Sequence, residues 1–290
     1  TTTAWQPTAD AEREERERML PGVTCTRLGA DRCPGLLKPF VAQDGAIIRL
    51  RVPGGRVRVS TLADLLAIGA DHGAPLLSVT SRTNLQVRGL PDPLPEDVMV
   101  RAEATGLLPS PSHERARNIL AAPLAPDLQP LVAELDAALC TDPFLADLPG
   151  RFLFAVTDAT GAVLTEPVDA AYQALTPTSG VIRLAGLGMP CARDDAVAHL
   201  LERARLFLTH REGPRVWNIR DLPADSPVFA GLEPMPVDPA PPLTPGPVGG
   251  DLVAGIPLAM LRATHLSALV AITDDVVITP WRSLVVPSGA

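Results

Sequence analysis

Lysine is almost missing from this 290-residue chain: of 25 basic residues only Lys38 is a lysine, and the rest are arginine. Asparagine occurs three times, at Asn84, Asn118 and Asn218. Such a bias toward Arg, Ala, Pro and Gly is what a GC-rich genome produces, so the number of arginines carries no functional information. Their positions can. Cysteine is scarce too: Cys25, Cys33, Cys140 and Cys191 are too few and too scattered for a disulfide scaffold. None forms the CxxC or CxxxC pair that iron–sulfur and zinc sites use, so buried or incidental thiols are the plain reading. The five histidines lack HExxH or paired spacing, which argues against a zinc enzyme. No GxGxxG, GxxxxGK[ST] or GxSxG is present, so no dinucleotide site, phosphate loop or hydrolase elbow is visible. No apolar run reaches the roughly 18 residues that a membrane span needs. The start, TTTAWQPTADAEREERERML, lacks the basic-then-apolar order of a signal peptide. A net charge of −8 argues against non-specific nucleic-acid binding. These absences lead to an expected cytoplasmic protein, with neither nucleic acid nor membrane as partner.

What is there suffices for a core, with 46% hydrophobic and 20% charged residues. Residues 11–20, AEREERERML, can form a solvated helix and little else. Residues 46–59 read as two short strands broken at Pro53-Gly54-Gly55. Residues 60–70 read as a helix capped by Ser60, with Leu62, Leu65, Leu66 and Ile68 on one face. Residues 76–90 are strand-like and 94–107 helical. The strongest later helices are 128–140 and 194–209. Between them, 151–164 reads as a hairpin turning at Asp158–Gly161, and 181–187 as a further strand. Residues 222–250 hold nine prolines and read as a linker or a surface coil, not a core element.

The chain then repeats itself. Aligning 51–68 with 255–272 gives six identities in 18 positions: Pro53/Pro257, Arg58/Arg262, Leu62/Leu266, Leu65/Leu269, Ala67/Ala271 and Ile68/Ile272. After five residues are lost, 79–87 falls on 278–286, with Thr80/Thr279, Leu85/Leu284 and Val87/Val286 identical. Chance similarity in Ala/Leu-rich sequence is the alternative. The matched order of strand, proline, helix and Thr-led strand favours duplication.

Arginines gather at strand ends and loops. In TSRTNLQVRG, residues Arg82, Asn84, Gln86 and Arg88 would share one face of a strand, because side chains alternate. That row is either the solvated face of an edge strand or a carboxylate-binding surface, since arginine offers a fixed fork of donors. A second group, HERARNIL, supplies Arg115, Arg117 and Asn118; a third, LPGRF, places Arg151 at a strand mouth.

With ADRCPG and the strand pair at 30–59, TSRTNLQVRGL, RARNILAAPLA, LPGRFLFAVTD and ITPWRSLVVP, the sequence resembles the nitrite/sulfite reductase superfamily and, within it, the precorrin-3B synthases of aerobic cobalamin biosynthesis. The resemblance runs from about residue 27 to the end. It implies an α+β fold, with duplicated ferredoxin-like halves around a central reductase-type domain. The boundaries expected are 1–21 for a charged extension, 22–91 for the first half, 92–221 for the central domain, 222–250 for the linker and 251–290 for the second half. The Thr80- and Thr279-led strands would then lie in one shared sheet or barrel, related by a pseudo-twofold.

The resemblance also implies a pocket for a polycarboxylate tetrapyrrole, lined by Arg82, Asn84, Gln86, Arg88, Arg115, Arg117, Asn118 and Arg151, with Arg82, Arg117 and Arg151 converging on one concave surface. Two departures stand out. Gly150 replaces a family arginine, and Leu153 stands where the reductases, though not the synthases, carry a second lysine. The family's CxxxxxC and CxxxC pairs, which hold a 4Fe–4S cluster, are not found in this sequence. The expectation is a chain that holds no metal or cluster by itself. The resemblance implies oxygenation of a precorrin, which in the family hydroxylates the macrocycle and forms a lactone; here the cluster module would belong to a separate cluster-carrying chain, have been lost, or be missing because this chain is a fragment. The alternatives are a cluster-free, non-catalytic tetrapyrrole-binding protein and a duplication that is structural only.

Overall fold

The computed structural model describes residues 31–213 and 215–288; the charged run at 11–20 and Cys25 lie outside them. The first unit comprises β1 (Phe40–Ala42), β2 (Gly45–Leu50), β3 (Arg56–Arg58), α1 (Val59–Asp71), β4 (Leu77–Val79), β5 (Leu85–Leu90) and α2 (Glu96–Ala104). Helix α1 buries Leu62, Leu65, Leu66 and Ile68, the stripe read from the sequence. Ser60 is not its cap. The helix begins at Val59, and its N-cap position, Arg58, makes no side-chain capping bond. Strand β3 delivers the chain directly into the first turn.

The central unit holds β6 (Ile119–Ala121), α3 (Gln129–Thr141), β7 (Phe154–Thr157), β8 (Ala170–Ala174), β9 (Ser179–Leu184), β10 (Leu187–Ala192), α4 (Ala196–His210) and β11 (Glu233–Pro234). These strands form one sheet in the order β11-β10-β9-β8-β7-β6. The expected 151–164 hairpin is not there: β7 and β8 run parallel, joined through a short 3-10 turn at Ala162–Thr165. The FLFAV run explains why, since parallel strands covered on both faces read as unbroken apolar sequence. Phe154, Val156 and Tyr172 face α3 and α4, whereas Leu153, Ala155 and Ala171 form a second cluster behind the sheet. Phe152 packs at 5.0 Å from both Phe154 and Phe207. The proline-rich stretch also departs from expectation. Val228 and Leu232 sit in the central core, and Leu187 and Gly188 of β10 pair with β11.

The last unit contains β12 (Gly246–Val248), β13 (Asp251–Gly255), β14 (Met260–Leu261), α5 (Ala263–Val270), β15 (Asp275–Ile278) and β16 (Ser283–Val286). The two halves make two sheets rather than one shared sheet: β1-β2-β5-β4-β14 and β12-β13-β16-β15-β3. Each sheet borrows its last strand from the other half. β3 pairs with β15, Val57 opposite Val276, and β14 pairs with β4, Met260 opposite Ser78. Helices α1 and α5 pack together, so Leu62, Leu65, Leu266, Leu269 and Ile278 share one core.

The repeat holds down to single hydrogen bonds. The Thr80 N–H donates to the Asn84 carbonyl at 3.0 Å, and the Thr279 N–H to the Ser283 carbonyl at 2.9 Å. Thr83 and Arg282, equivalent in the alignment, adopt positive φ of 56° and 60°. So do Gly54 and Gly55 in one half, and Leu258 and Ala259 in the other.

Candidate functional site

Four segments meet beside the first half. Residues 31–34 bring Arg32 and Cys33, β2 brings Arg49, the turn before β5 brings Arg82, and the Pro149–Arg151 loop brings Arg151. Together with Pro34, Thr80 and Ser81 they line a cavity of about 350 Å³. Four guanidiniums and no carboxylate line it. Arg49 donates to Gln86 across the β2/β5 pair at 3.0 Å, while its buried Nε has no partner. Arg82 donates only weakly, to the Gly150 carbonyl at 3.5 Å. Arg151 lies over the Trp217 ring at 4.8 Å. A second cavity of about 690 Å³ adjoins, lined among others by Asp31, Lys38, Glu114, Arg115, Arg211 and Trp217.

Two asparagines hold these segments in place. Asn84 accepts from the Val52 N–H at 3.2 Å and donates to the side-chain Oδ1 of Asn118 at 2.9 Å. Asn118 in turn donates to the Gly150 carbonyl at 3.2 Å and the Arg115 carbonyl at 2.8 Å. Asp31 closes the ring, accepting from Gly150 N–H at 2.6 Å and Cys33 N–H at 3.0 Å. Gly150 is required at this point. A Cβ there would stand 2.7 Å from Cys33 Cβ and 3.1 Å from Asp31 Oδ2. Leu153, the other departure, is buried behind the central sheet, where a lysine would be costly.

The charges of the site are unequal. Burial lowers the proton affinity of Arg49, and Arg82 nearby adds to this. Burial pushes the Cys33 thiol up, and the Asp31 carboxylate pushes it further. Burial works to raise the Asp31 carboxyl, but hydrogen bonds from Cys33 and Gly150, with Arg115 close by, outweigh it and hold the carboxyl below its usual range. Behind the cavity, Arg51 is fully buried. It donates to the Pro34 carbonyl at 2.6 Å and the Arg49 carbonyl at 3.2 Å.

Of the residues expected at the pocket, Arg82 and Arg151 line the arginine cavity; Asn84, Asn118 and Gln86 are buried beneath it as supports. Arg115 lines the neighbouring cavity. Two expectations fail. Arg117 does not converge with the others: it forms a two-pronged pair with Asp136, both bonds at 2.7 Å, and donates to the Leu107 carbonyl. That half-buried acidic partner on α3 turns the buried guanidinium away from the cavity. Arg88 is exposed at the far end of β5 and pairs with Asp44 at 3.3 Å. Arg82 and Arg88 do not share a strand face, because β5 starts only at Leu85; Arg82 belongs to the preceding turn, so alternation does not extend to it. Sequence reading passed over Arg32 and Arg49. The signal was present: Arg49 alternates with apolar Ile48 and Leu50 on a strand already expected.

Among the described residues, no group of three or more His, Cys, Asp or Glu side chains could hold a metal ion, and Cys33, Cys140 and Cys191 are free. The described residues therefore do not fit an iron–sulfur cluster, and no chemical step is derived through one. Among them, no helix is long and apolar enough to cross a membrane.

The fold is of the nitrite/sulfite reductase type, α+β with ferredoxin-like halves around a central unit. Residues 41–103 match the nitrite/sulfite reductase ferredoxin-like half domain. Among solved structures, that of the Mycobacterium tuberculosis NirA protein is similar, with a TM-score of 0.56 at 16% identity over 84% of this chain. The chain covers 54% of that protein, about half its length. No curated protein matches the sequence.

Proposed function

We propose that this chain binds a polycarboxylate tetrapyrrole through the arginine cavity, as part of a precorrin-3B synthase-like oxidoreductase of cobalamin biosynthesis. The observation that carries the reading is the cavity lining: Arg32, Arg49, Arg82 and Arg151 without a carboxylate among them. Guanidiniums gathered without a carboxylate in the lining suit an anion, and acetate or propionate arms fit their forked donors. The larger cavity, lined by Asp31, Arg115 and Trp217, has room for more of a macrocycle. In this reading the chain binds and orients the substrate. Iron chemistry would come from a cluster-carrying module or chain. The second reading is a non-catalytic tetrapyrrole-binding protein, in which the same arginine cavity holds the ligand. Iron content and the visible spectrum of the protein purified from its native host distinguish the two.

Titration with uroporphyrin, a polycarboxylate probe, tests the binding. Arg82→Ala or Arg49→Ala should weaken it by about 1.5–3 kcal/mol, the range for hydrogen bonds to charged groups. Arg88→Ala should leave it unchanged. Equal binding of a porphyrin without carboxylates, or no effect of Arg82→Ala, would remove the reading.

A further inference from the structure

We infer that Asp169, acting through Asn218, is the positioning group for Arg151 and Trp217, and that proton uptake by its carboxylate loosens both and weakens ligand binding. The inference rests on the tetrapyrrole reading for its ligand, and on a buried hydrogen-bond cluster for its mechanism. Arg151 lines the arginine cavity, Trp217 lines the larger one, and the guanidinium lies over the ring at 4.8 Å. The pair therefore links the two linings. Beneath it, Asn218 and Asp169 are buried. The Asn218 amide nitrogen donates to the Arg151 carbonyl at 3.2 Å and to Asp169 Oδ2 at 3.0 Å, which uses both of its hydrogens. Its side-chain oxygen accepts from the Asp221 N–H, in a capping box over Ile219–Asp221. The Asp221 carboxylate accepts in turn from the Trp217 and Asn218 N–H groups, each at 3.0 Å. Asp169 also accepts from the Leu153 N–H at 2.8 Å and the Ile219 N–H at 2.7 Å. One carboxylate thus ties the segment of Arg151 to the segment of Trp217.

Every one of these partners of Asp169 is a donor. Once the carboxylate takes up a proton, its new O–H needs an acceptor, and the two backbone N–H groups cannot serve. The Asn218 amide can, by turning its oxygen inward. That turn takes a donor from the Arg151 carbonyl and an acceptor from the Asp221 N–H. The arginine loop and the capped turn then loosen together. Burial pushes the Asp169 carboxyl up to about 6, which brings the change into an accessible pH range. Of the charged groups on the elements around it, Arg220 acts on Asp169 and favours its ionised form. Arg151 lies on Trp217, Asp221 caps its own turn, and Glu166, on the connection into β8, lies near Arg82. The entries to β7 and β8 bring apolar Leu153, Ala155 and Ala171.

Uroporphyrin titration of the full chain between about pH 5.5 and 7.5, above the ordinary range of the probe's own carboxylates, tests this. The fluorescence of the ligand-free protein is followed alongside, with Trp217→Phe identifying the emission of Trp217. Affinity in the parent should fall about tenfold toward the acid end, the scale of one hydrogen bond to a charged group. Asn218→Ala should bind about tenfold more weakly at the neutral end and show little further fall. Its stability should keep a pH slope, because the buried carboxyl is still there; a merely structural role would not separate the two slopes. Asp169→Asn should resemble the parent's acid form at every pH, and thermal melting checks that it is folded. In the ligand-free parent the Trp217 emission should shift near pH 6, and in Asn218→Ala it should not. An affinity that Arg151→Ala weakens but pH leaves level overturns the inference and spares the tetrapyrrole reading. So does a full pH slope of affinity in Asn218→Ala, which assigns the slope to other groups. No uroporphyrin binding at any pH removes the tetrapyrrole reading. The Trp217 emission then decides the positioning role: a shift that Asn218→Ala abolishes upholds it, and no shift overturns it.

Discussion

The first half and the second half share a backbone and differ in what hangs from it. At the turn before the last strand, the first half has Thr80-Ser81-Arg82-Thr83-Asn84 and the second has Thr279-Pro280-Trp281-Arg282-Ser283, with the same hydrogen bonds and the same positive φ at the fourth residue. Arg82 points into the arginine cavity; its counterpart Trp281 packs behind the central sheet with Leu120, Leu153 and Val163. Asn84 reaches across to Asn118, whereas the shorter Ser283 turns back to Thr279 at 2.7 Å. The difference teaches that the same backbone geometry serves two ends: one copy reaches with polar side chains into the arginine cavity, while the other is an apolar anchor against the central sheet.

Exchanging residues between the halves can break this comparison. The largest effect is expected from Gly55→Ala, which installs the residue of position 259. Its Cβ would stand 2.3 Å from the Ile278 carbonyl oxygen at a φ of +74°, beside the β3/β15 pair that joins the halves. Left-handed backbone and overpacking against a main-chain atom together should cost about 2–4 kcal/mol in urea unfolding. A cost below about 0.5 kcal/mol, the level of an ordinary surface change, would mean the halves are not locked through this contact.

Unfolding of the central unit must be separated from that of the halves, and Asp169 gives it a signature. This buried carboxyl accepts from the Leu153 and Ile219 N–H groups at 2.8 and 2.7 Å and from Asn218 at 3.0 Å. Burial nevertheless pushes it up to about 6, from 3.8 when unfolded. The native state therefore holds this proton more tightly than the unfolded chain. Its contribution to stability is complete below about pH 4 and falls by about 3 kcal/mol as pH rises through 6. In Asp169→Asn, stability measured between pH 4 and 6 should be flatter than in the parent; an unchanged slope would count against the assignment.

A smaller effect is expected from Asn84→Ser, which gives the first half the residue of the second. The Val52 N–H and the side-chain Oδ1 of Asn118 lose their partners, at a cost of about 2 kcal/mol for buried groups left unsatisfied. Gly150 and Arg151 also lose part of their support, so uroporphyrin affinity should fall as well. Lost stability with unchanged affinity would show that the asparagine pair holds the fold but not the cavity. The smallest change is Ala259→Gly, the reverse of the first exchange. Relief of a φ of 58° is offset by the added freedom of glycine in the unfolded chain, leaving a net change within about 1 kcal/mol.

Much of the frame was legible beforehand. The α1 stripe and the repeat itself follow from periodicity and from identities such as Pro53/Pro257, whereas the Thr-led segments, expected as strands, open as turns ahead of β5 and β16. The candidate site was legible only in part. TSRTN, RARN and LPGR marked the right segments, but side-chain direction within a turn is set by neighbours distant in sequence. Arg117 looked as available as Arg82 until Asp136, 19 residues on, claimed it. Arg49 looked like one more strand residue until β5 placed Gln86 opposite it.

The sequence by itself determined the internal repeat, the α1 stripe and the three short motifs that carry Arg82, Arg117 and Arg151, since periodicity and internal identity are properties of the chain. Tertiary structure alone decided the exchange of β3 and β14 between two sheets, the parallel course of β7 and β8, and which four guanidiniums share one cavity. The physical reason is common to all three. Strand pairing and charge pairing are choices among partners far apart in sequence. They are made by the burial and hydrogen-bond satisfaction that only the assembled core provides.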